Sequence, residues 1–169
     1  MESLCQQKWD LLVWAINMGA SMAKNLISSK FDVTVYDLNV ESYHKLVEVG
    51  AKVSPSVKEI AENCDVIITM LPATKHVIGV MRGEDGIFNN AKPGTLIIDS
   101  STIAPLASQH LHEEAHDKKL RIVDAPVSGG VTGATAGTLT FMVGGTEDSF
   151  QMAKVSLFVH FCEFCGVLT

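Results

Sequence analysis

The sequence lacks the features that would place it with several large protein classes. Lys and Arg number 13 against 19 Asp and Glu, a net charge of −6, and they form no cluster. Nucleic acid and acidic membrane surfaces are therefore not expected as partners. No apolar run is long enough to cross a bilayer, so no membrane partner is expected either. There is no Asn-x-Ser/Thr glycosylation acceptor. The opening "MESLCQQKWD", 1–10, has neither the apolar core of a secretory signal nor the Arg-rich, acid-poor character of a mitochondrial leader. Taken by itself this predicts a cytoplasmic protein. Cysteine is sparse: Cys5, Cys64, Cys162 and Cys165 are too uneven for a disulfide framework and suit a reducing compartment. Cys162 and Cys165 form a C-x-x-C without a second pair, and a zinc site needs four ligands. A redox pair and half a zinc site are the functional readings, and a chance spacing in an apolar tail is the preferred one.

What is present is a chain of 169 residues, 47% hydrophobic and 19% charged, enough for one domain with a sizeable core. Short apolar runs alternate with helical patterns. Strands are predicted at 11–15, 32–37, 64–72, within 92–102, at 120–130 and at 137–145. The run "CDVIITMLP", 64–72, is continuously apolar up to Pro72, as suits a parallel strand covered on both faces. Between the strands, "GASMAKNLISS" carries a stripe of Met22, Ala23, Leu26 and Ile27. Residues 41–49 predict a helix with Leu46 and Val49 on one side. Ser54-Pro55-Ser56 reads as a helix start, with Val57, Ile60 and Ala61 facing inward. Thr146 caps a last helix that has acids in its first turn. There is no internal repeat, linker or low-complexity segment. The alternation predicts βαβ units and an α/β fold with a doubly wound, mainly parallel sheet. Ligands of such sheets bind beyond the carboxyl ends of the strands, which directs attention to residues 14–19, Asp37, 71–76, 100–102 and 124–130.

The first of these loops, "WAINMGASMAKNL", has one glycine where a dinucleotide fingerprint has three. Gly19 matches the glycine that lets helix and strand pack. Trp14 and Ile16 stand where a tight turn and a close approach to pyrophosphate are needed, and neither suits the task. From spacing alone the fingerprint fails. Asp37, at the end of the second strand, has two readings: an acceptor for both ribose hydroxyls of NAD, which would repel a 2′-phosphate, or a strand-end turn residue. "SGG", 128–130, can present backbone N–H groups and a hydroxyl to an anion, or can be a glycine-rich turn. His112-Glu113-Glu114-Ala115-His116 is a formal H-E-x-x-H. The inner stripe of its helix is predicted as Ala104, Ala107, Leu111 and Ala115, which leaves both histidines on or near the solvated side and no third ligand. A polar helix face is the reading, and no metal site is expected.

"DAPVSGGVTGATAGTLTFMVGG", 124–145, together with "NMGASMAKNL", "ITMLP" and "LIIDSST" in this order and spacing, resembles the β-hydroxyacid dehydrogenases, and among them the 3-hydroxyisobutyrate dehydrogenases. The resemblance runs from about Asn17 to about Lys154. It implies an NAD-binding Rossmann-like domain over 11–154, an apolar tail over 155–169, and a family C-terminal all-helical domain that is absent here. It implies NAD as cofactor, held by Asn17, Met18, Gly19, Asp37, Leu71, Pro72 and Thr102. It implies a small 3-hydroxy acid as substrate, held by Ser128, Gly129 and Gly130, and oxidation of 3-hydroxyisobutyrate to methylmalonate semialdehyde in valine breakdown. It also implies a mitochondrial location and a homo- or hetero-oligomer. Trp14 and Ile16 replace family glycines, and His76 replaces a family Asn. The family's catalytic Lys falls beyond residue 169, and Lys154 does not match it by position. No catalytic residue is therefore expected in this chain, and dehydrogenase activity of the chain alone is not expected. Two alternatives stand beside this reading. One is a glyoxylate or succinic-semialdehyde reductase of the same superfamily, which Asp37 disfavours because those enzymes prefer NADP. The other is a non-catalytic fragment that pairs with a full-length subunit.

Overall fold

A computed structural model of the chain describes residues 9–13, 18–39, 41–158 and 163–168. The elements run β1 (Trp9–Val13), α1 (Met18–Ser28), β2 (Val33–Tyr36), α2 (Glu41–Val47), β3 (Lys52–Val53), α3 (Val57–Asn63), β4 (Val66–Met70), α4 (Thr74–Arg82), α5 (Ile87–Asn90), β5 (Leu96–Asp99), α6 (Pro105–Asp117), β6 (Arg121–Asp124), β7 (Val127–Ser128), α7 (Gly130–Ala136), β8 (Thr140–Gly145), α8 (Glu147–Phe158) and β9 (Glu163–Leu168). They build one sheet in the order β3-β2-β1-β4-β5-β6-β8-β7, with β9 also paired to β8. From β3 to β6 every pairing is parallel. This is the α/β, doubly wound, Rossmann-like arrangement that the alternation of runs predicts.

Strand side chains alternate between two cores, as a two-residue period requires. Val33, Val35, Val66, Ile68, Leu96, Ile98 and Val123 pack with Met22, Ala23 and Leu26 of α1, Ala134 of α7, and Ala153 and Leu157 of α8. Ile67, Ile97 and Ile122 face Ile60 of α3, Val77 and Met81 of α4, and Leu111 and Ala115 of α6. Central strands therefore have no polar face, which explains the continuously apolar sequence of β4.

Several boundaries differ from the sequence expectation. The first strand is set at Trp9–Val13 rather than 11–15. α2 ends at Val47, and Val49 is exposed, because Gly50 turns the chain with φ +107°. Ala104 is exposed and only caps α6, whose buried stripe is Leu111 and Ala115. The single strand predicted at 120–130 is two. Pro126 has no N–H to give to a ladder, and its carbonyl instead accepts from the Met142 N–H at 2.9 Å. β6 and β7 thus flank the break, and both run antiparallel to β8. α8 continues to Phe158, and β9 runs parallel to β8. Trp14, Ile16, Asn17 and Cys162 lie outside the described residues, so the readings of the first loop and of the C-x-x-C do too.

Candidate cofactor-binding site

β1 has β2 on one side and β4 on the other, so the strand order reverses there. Crevices form where helices leave a sheet in opposite directions, beyond the carboxyl ends. Those ends are Val13, Tyr36, Met70, Asp99 and Asp124. α1 begins at Met18 beside this edge, with Gly19 buried against the sheet.

Asp37 directly follows β2 and is only 7% exposed. Its Oδ1 accepts from the Asn39 N–H at 2.8 Å. Its Oδ2 is buried without a hydrogen-bond partner, and so is the hydroxyl of Ser42. Burial raises the Asp37 pKa, while the Asn39 N–H and the nearby Ser42 hydroxyl pull it back. That hydroxyl lies near enough to favour the charge without completing a hydrogen bond. An unsatisfied buried acceptor is costly unless a ligand donor meets it.

A cavity of about 300 Å³ opens beside Asp37, lined by Leu38, Val57, Leu71 and Val80 among others, with Gly79, Gly83 and Gly86 on its α4–α5 side. A Cβ on Gly83 would lie 2.9 Å from the Gly79 carbonyl oxygen, and one on Gly86 would lie 2.8 Å from that of Met81. An apolar slot with an acid at its rim fits a flat heterocycle carrying a diol. Of the residues singled out in the sequence, Asp37 and Leu71 share this cavity. Sequence reasoning missed Leu38 and Val80, and read Val57 only as an inward-facing helix residue. The helical spacing of Val80 in α4 gave no sign of which strand end the helix would cover.

Pro72 and Thr102 are exposed just past β4 and β5. Ser128, Gly129 and Gly130 are exposed at the junction of β7 and α7. Gly129 has φ +123° and Gly130 φ +58°, conformations that side chains resist. α7 is tied to α1: the Asn25 side-chain amide donates to the Ala134 carbonyl at 2.7 Å. The structure thus fastens the glycine loop to the helix that opens at the crevice.

His112 corrects the prediction for α6. It is half-buried, its pKa lowered by that burial, and it lines a second cleft with Ser108, Glu113 and Asp124. His116 is exposed, as expected. No group of His, Cys, Asp and Glu among the described residues can hold a metal ion, and no helix among them is long and apolar enough to cross a membrane.

Comparison with known proteins fits this geometry. Residues 15–163 match a family described as the NAD binding domain of 6-phosphogluconate dehydrogenase. The chain belongs to this family. A probable mitochondrial 3-hydroxyisobutyrate dehydrogenase of Dictyostelium discoideum is 48% identical over 141 residues, covering 83% of this chain and 44% of that protein. An NAD-dependent L-serine dehydrogenase of Pseudomonas aeruginosa is 43% identical over 138 residues, covering 82% of this chain and 46% of that one. A solved structure of Mycobacterium tuberculosis 3-hydroxyisobutyrate dehydrogenase with L-serine superposes with a TM-score of 0.89 at 33% identity, covering 96% of this chain and 55% of that one. The chain thus spans about half the length of the relatives it matches. Its cofactor class is NAD(P), and the buried, unsatisfied Asp37 beside an apolar cavity fits the adenosine end of such a cofactor.

Proposed function

We propose that this chain is the cofactor-binding part of an NAD-dependent dehydrogenase of small 3-hydroxy acids, with 3-hydroxyisobutyrate as the first candidate. The observation that carries the reading is the free Oδ2 of Asp37 at the rim of the apolar cavity. Asp37 would accept from the adenosine ribose hydroxyls and would repel a 2′-phosphate. Met18 and Gly19 at the start of α1, with Asn17 before them in the sequence, would take the pyrophosphate. Leu71 and Pro72 would line the cleft, and Thr102 would lie near the nicotinamide ribose. Ser128, Gly129 and Gly130 would turn N–H groups and a hydroxyl toward the substrate carboxylate. When bound, NAD supplies the hydride acceptor. No residue of this chain is assigned as the proton acceptor, so turnover would need a further segment or a partner subunit, and co-purification with a full-length relative tests the latter. The mitochondrial names of eukaryotic relatives make a mitochondrial location the one to test, by import into isolated mitochondria.

L-serine is a second candidate substrate, because a relative 43% identical is named for it. Calorimetric titration of the purified chain with NAD and NADP, alone and with each hydroxy acid, tests these readings. NAD should bind and NADP should bind much more weakly. Equal binding would defeat the role given to Asp37 and favour an NADP-dependent reductase. The hydroxy acid that tightens NAD binding more is the preferred substrate.

A further inference from the structure

Thr69, Asp99 and Asp124 lie side by side in register on β4, β5 and β6, at the carboxyl edge of the sheet. Asp99 is 2% exposed. Its Oδ1 accepts from the Thr69 hydroxyl at 2.8 Å and from the Ser101 N–H at 3.1 Å. The Ser101 hydroxyl in turn accepts from the Leu71 N–H at 2.9 Å. One carboxylate and one hydroxyl therefore join the segment after β4, which carries Leu71, to the segment after β5, which carries Thr102. The Oδ2 of Asp99 is buried and has no partner, and no ion pair among the described residues neutralises it.

The neighbouring carboxyl bears on that charge. Burial first, and the charge of Asp99 second, push Asp124 up to about 6. Two adjacent carboxyls on one face hold a single proton more readily than none. Around Asp124, α6 contributes His112 and Glu113, β5 contributes Asp99, and β8 contributes the uncharged Gly144 and Gly145. α8 packs its Ala153 on the opposite face, and its Glu147, Asp148 and Lys154 are exposed.

We propose that Asp99 is a positioning residue of the cofactor cleft, its Oδ1 clamping the two cleft-lining loops together while the protonated carboxyl of Asp124 beside it spares Asp99 a second adjacent charge. The proposal rests on the reading of that cleft as the NAD site. The folded chain holds the Asp124 proton more tightly than the unfolded chain does. The resulting stability is therefore complete below the ordinary carboxylate range and is lost as pH rises through about 6.

The test uses the purified chain and its Ser101→Ala, Asp99→Leu, Asp99→Asn and Asp124→Asn variants. Amide exchange at Leu71, thermal midpoints across that pH range, and NAD affinity are measured for each. Ser101→Ala should speed exchange at Leu71 by about tenfold, the loss expected for one hydrogen bond, and should weaken NAD binding severalfold. Asp99→Asn should recover much of what Asp99→Leu loses, since its amide oxygen keeps the acceptor that Thr69 and Ser101 use. Asp124→Asn should flatten the pH profile. Unchanged exchange at Leu71 in Ser101→Ala, or a pH profile that survives Asp124→Asn, overturns the proposal. If the natural chain takes up no NAD, the cofactor reading falls, while the exchange and pH measurements still decide the clamp. Should Asp99→Leu not fold, Ser101→Ala alone decides it.

Discussion

Asp37 engages one carboxylate oxygen with its own loop and leaves the other buried without a hydrogen-bond partner. Replacing it with Ala removes an acceptor whose hydrogen bonds are charge-assisted, each worth about 1.5–3 kcal/mol. Asp37→Ala should therefore weaken NAD binding by roughly ten- to a hundredfold and bring the NAD and NADP constants together, as read by calorimetry. This residue was visible in the sequence because it closes a β-branched run. Asp99 was not. Its partner Thr69, and the Leu71 N–H that the Ser101 hydroxyl accepts, belong to the preceding βα unit, and only the register of β5 on β4 brings them together. His112 was misplaced for a related reason: helical spacing gives an inner stripe, but not the cleft that opens at its margin where β8 ends in Gly144 and Gly145.

Short elements depend on their ends. α3 is seven residues long and starts at Ser56, whose hydroxyl accepts from the Glu59 N–H at 3.2 Å. Ser56→Ala should cost about 1 kcal/mol, seen as a lower urea midpoint with an unchanged slope. α7 depends on Gly129, where φ is +123° and a Cβ would lie 3.2 Å from Leu139 Cδ2. Gly129→Ala should cost roughly 1–3 kcal/mol and should weaken any response of NAD affinity to a hydroxy acid, both measurable on one sample. The helix starts at Ser56 and Thr146 could be read because side-chain caps are local. The division of 120–130 into β6 and β7 could not. Pro126 was in plain view, but the Met142 N–H that its carbonyl accepts belongs to a strand further along the chain.

Across the whole molecule, two apolar layers cover the sheet, and the first holds Phe141, fully buried on β8. Phe141→Ala should cost about 3–5 kcal/mol and unfold much of the population at 37 °C, as followed by circular dichroism. The fold class was legible because alternating apolar runs and helical stripes admit few architectures. The strand order was not, because β6 pairs with β8 through backbone groups that every sequence has. That order also bears on how the chain is made. β1 is flanked by β2 and β4, both of which follow it in sequence. Synthesis runs from the N-terminal side and delivers β1 before β4, so one edge of β1 stays open until Val66–Met70 has emerged. Extending the sheet is then an addition at that edge that waits for later residues, and during that wait the nascent strand is the segment a chaperone would find.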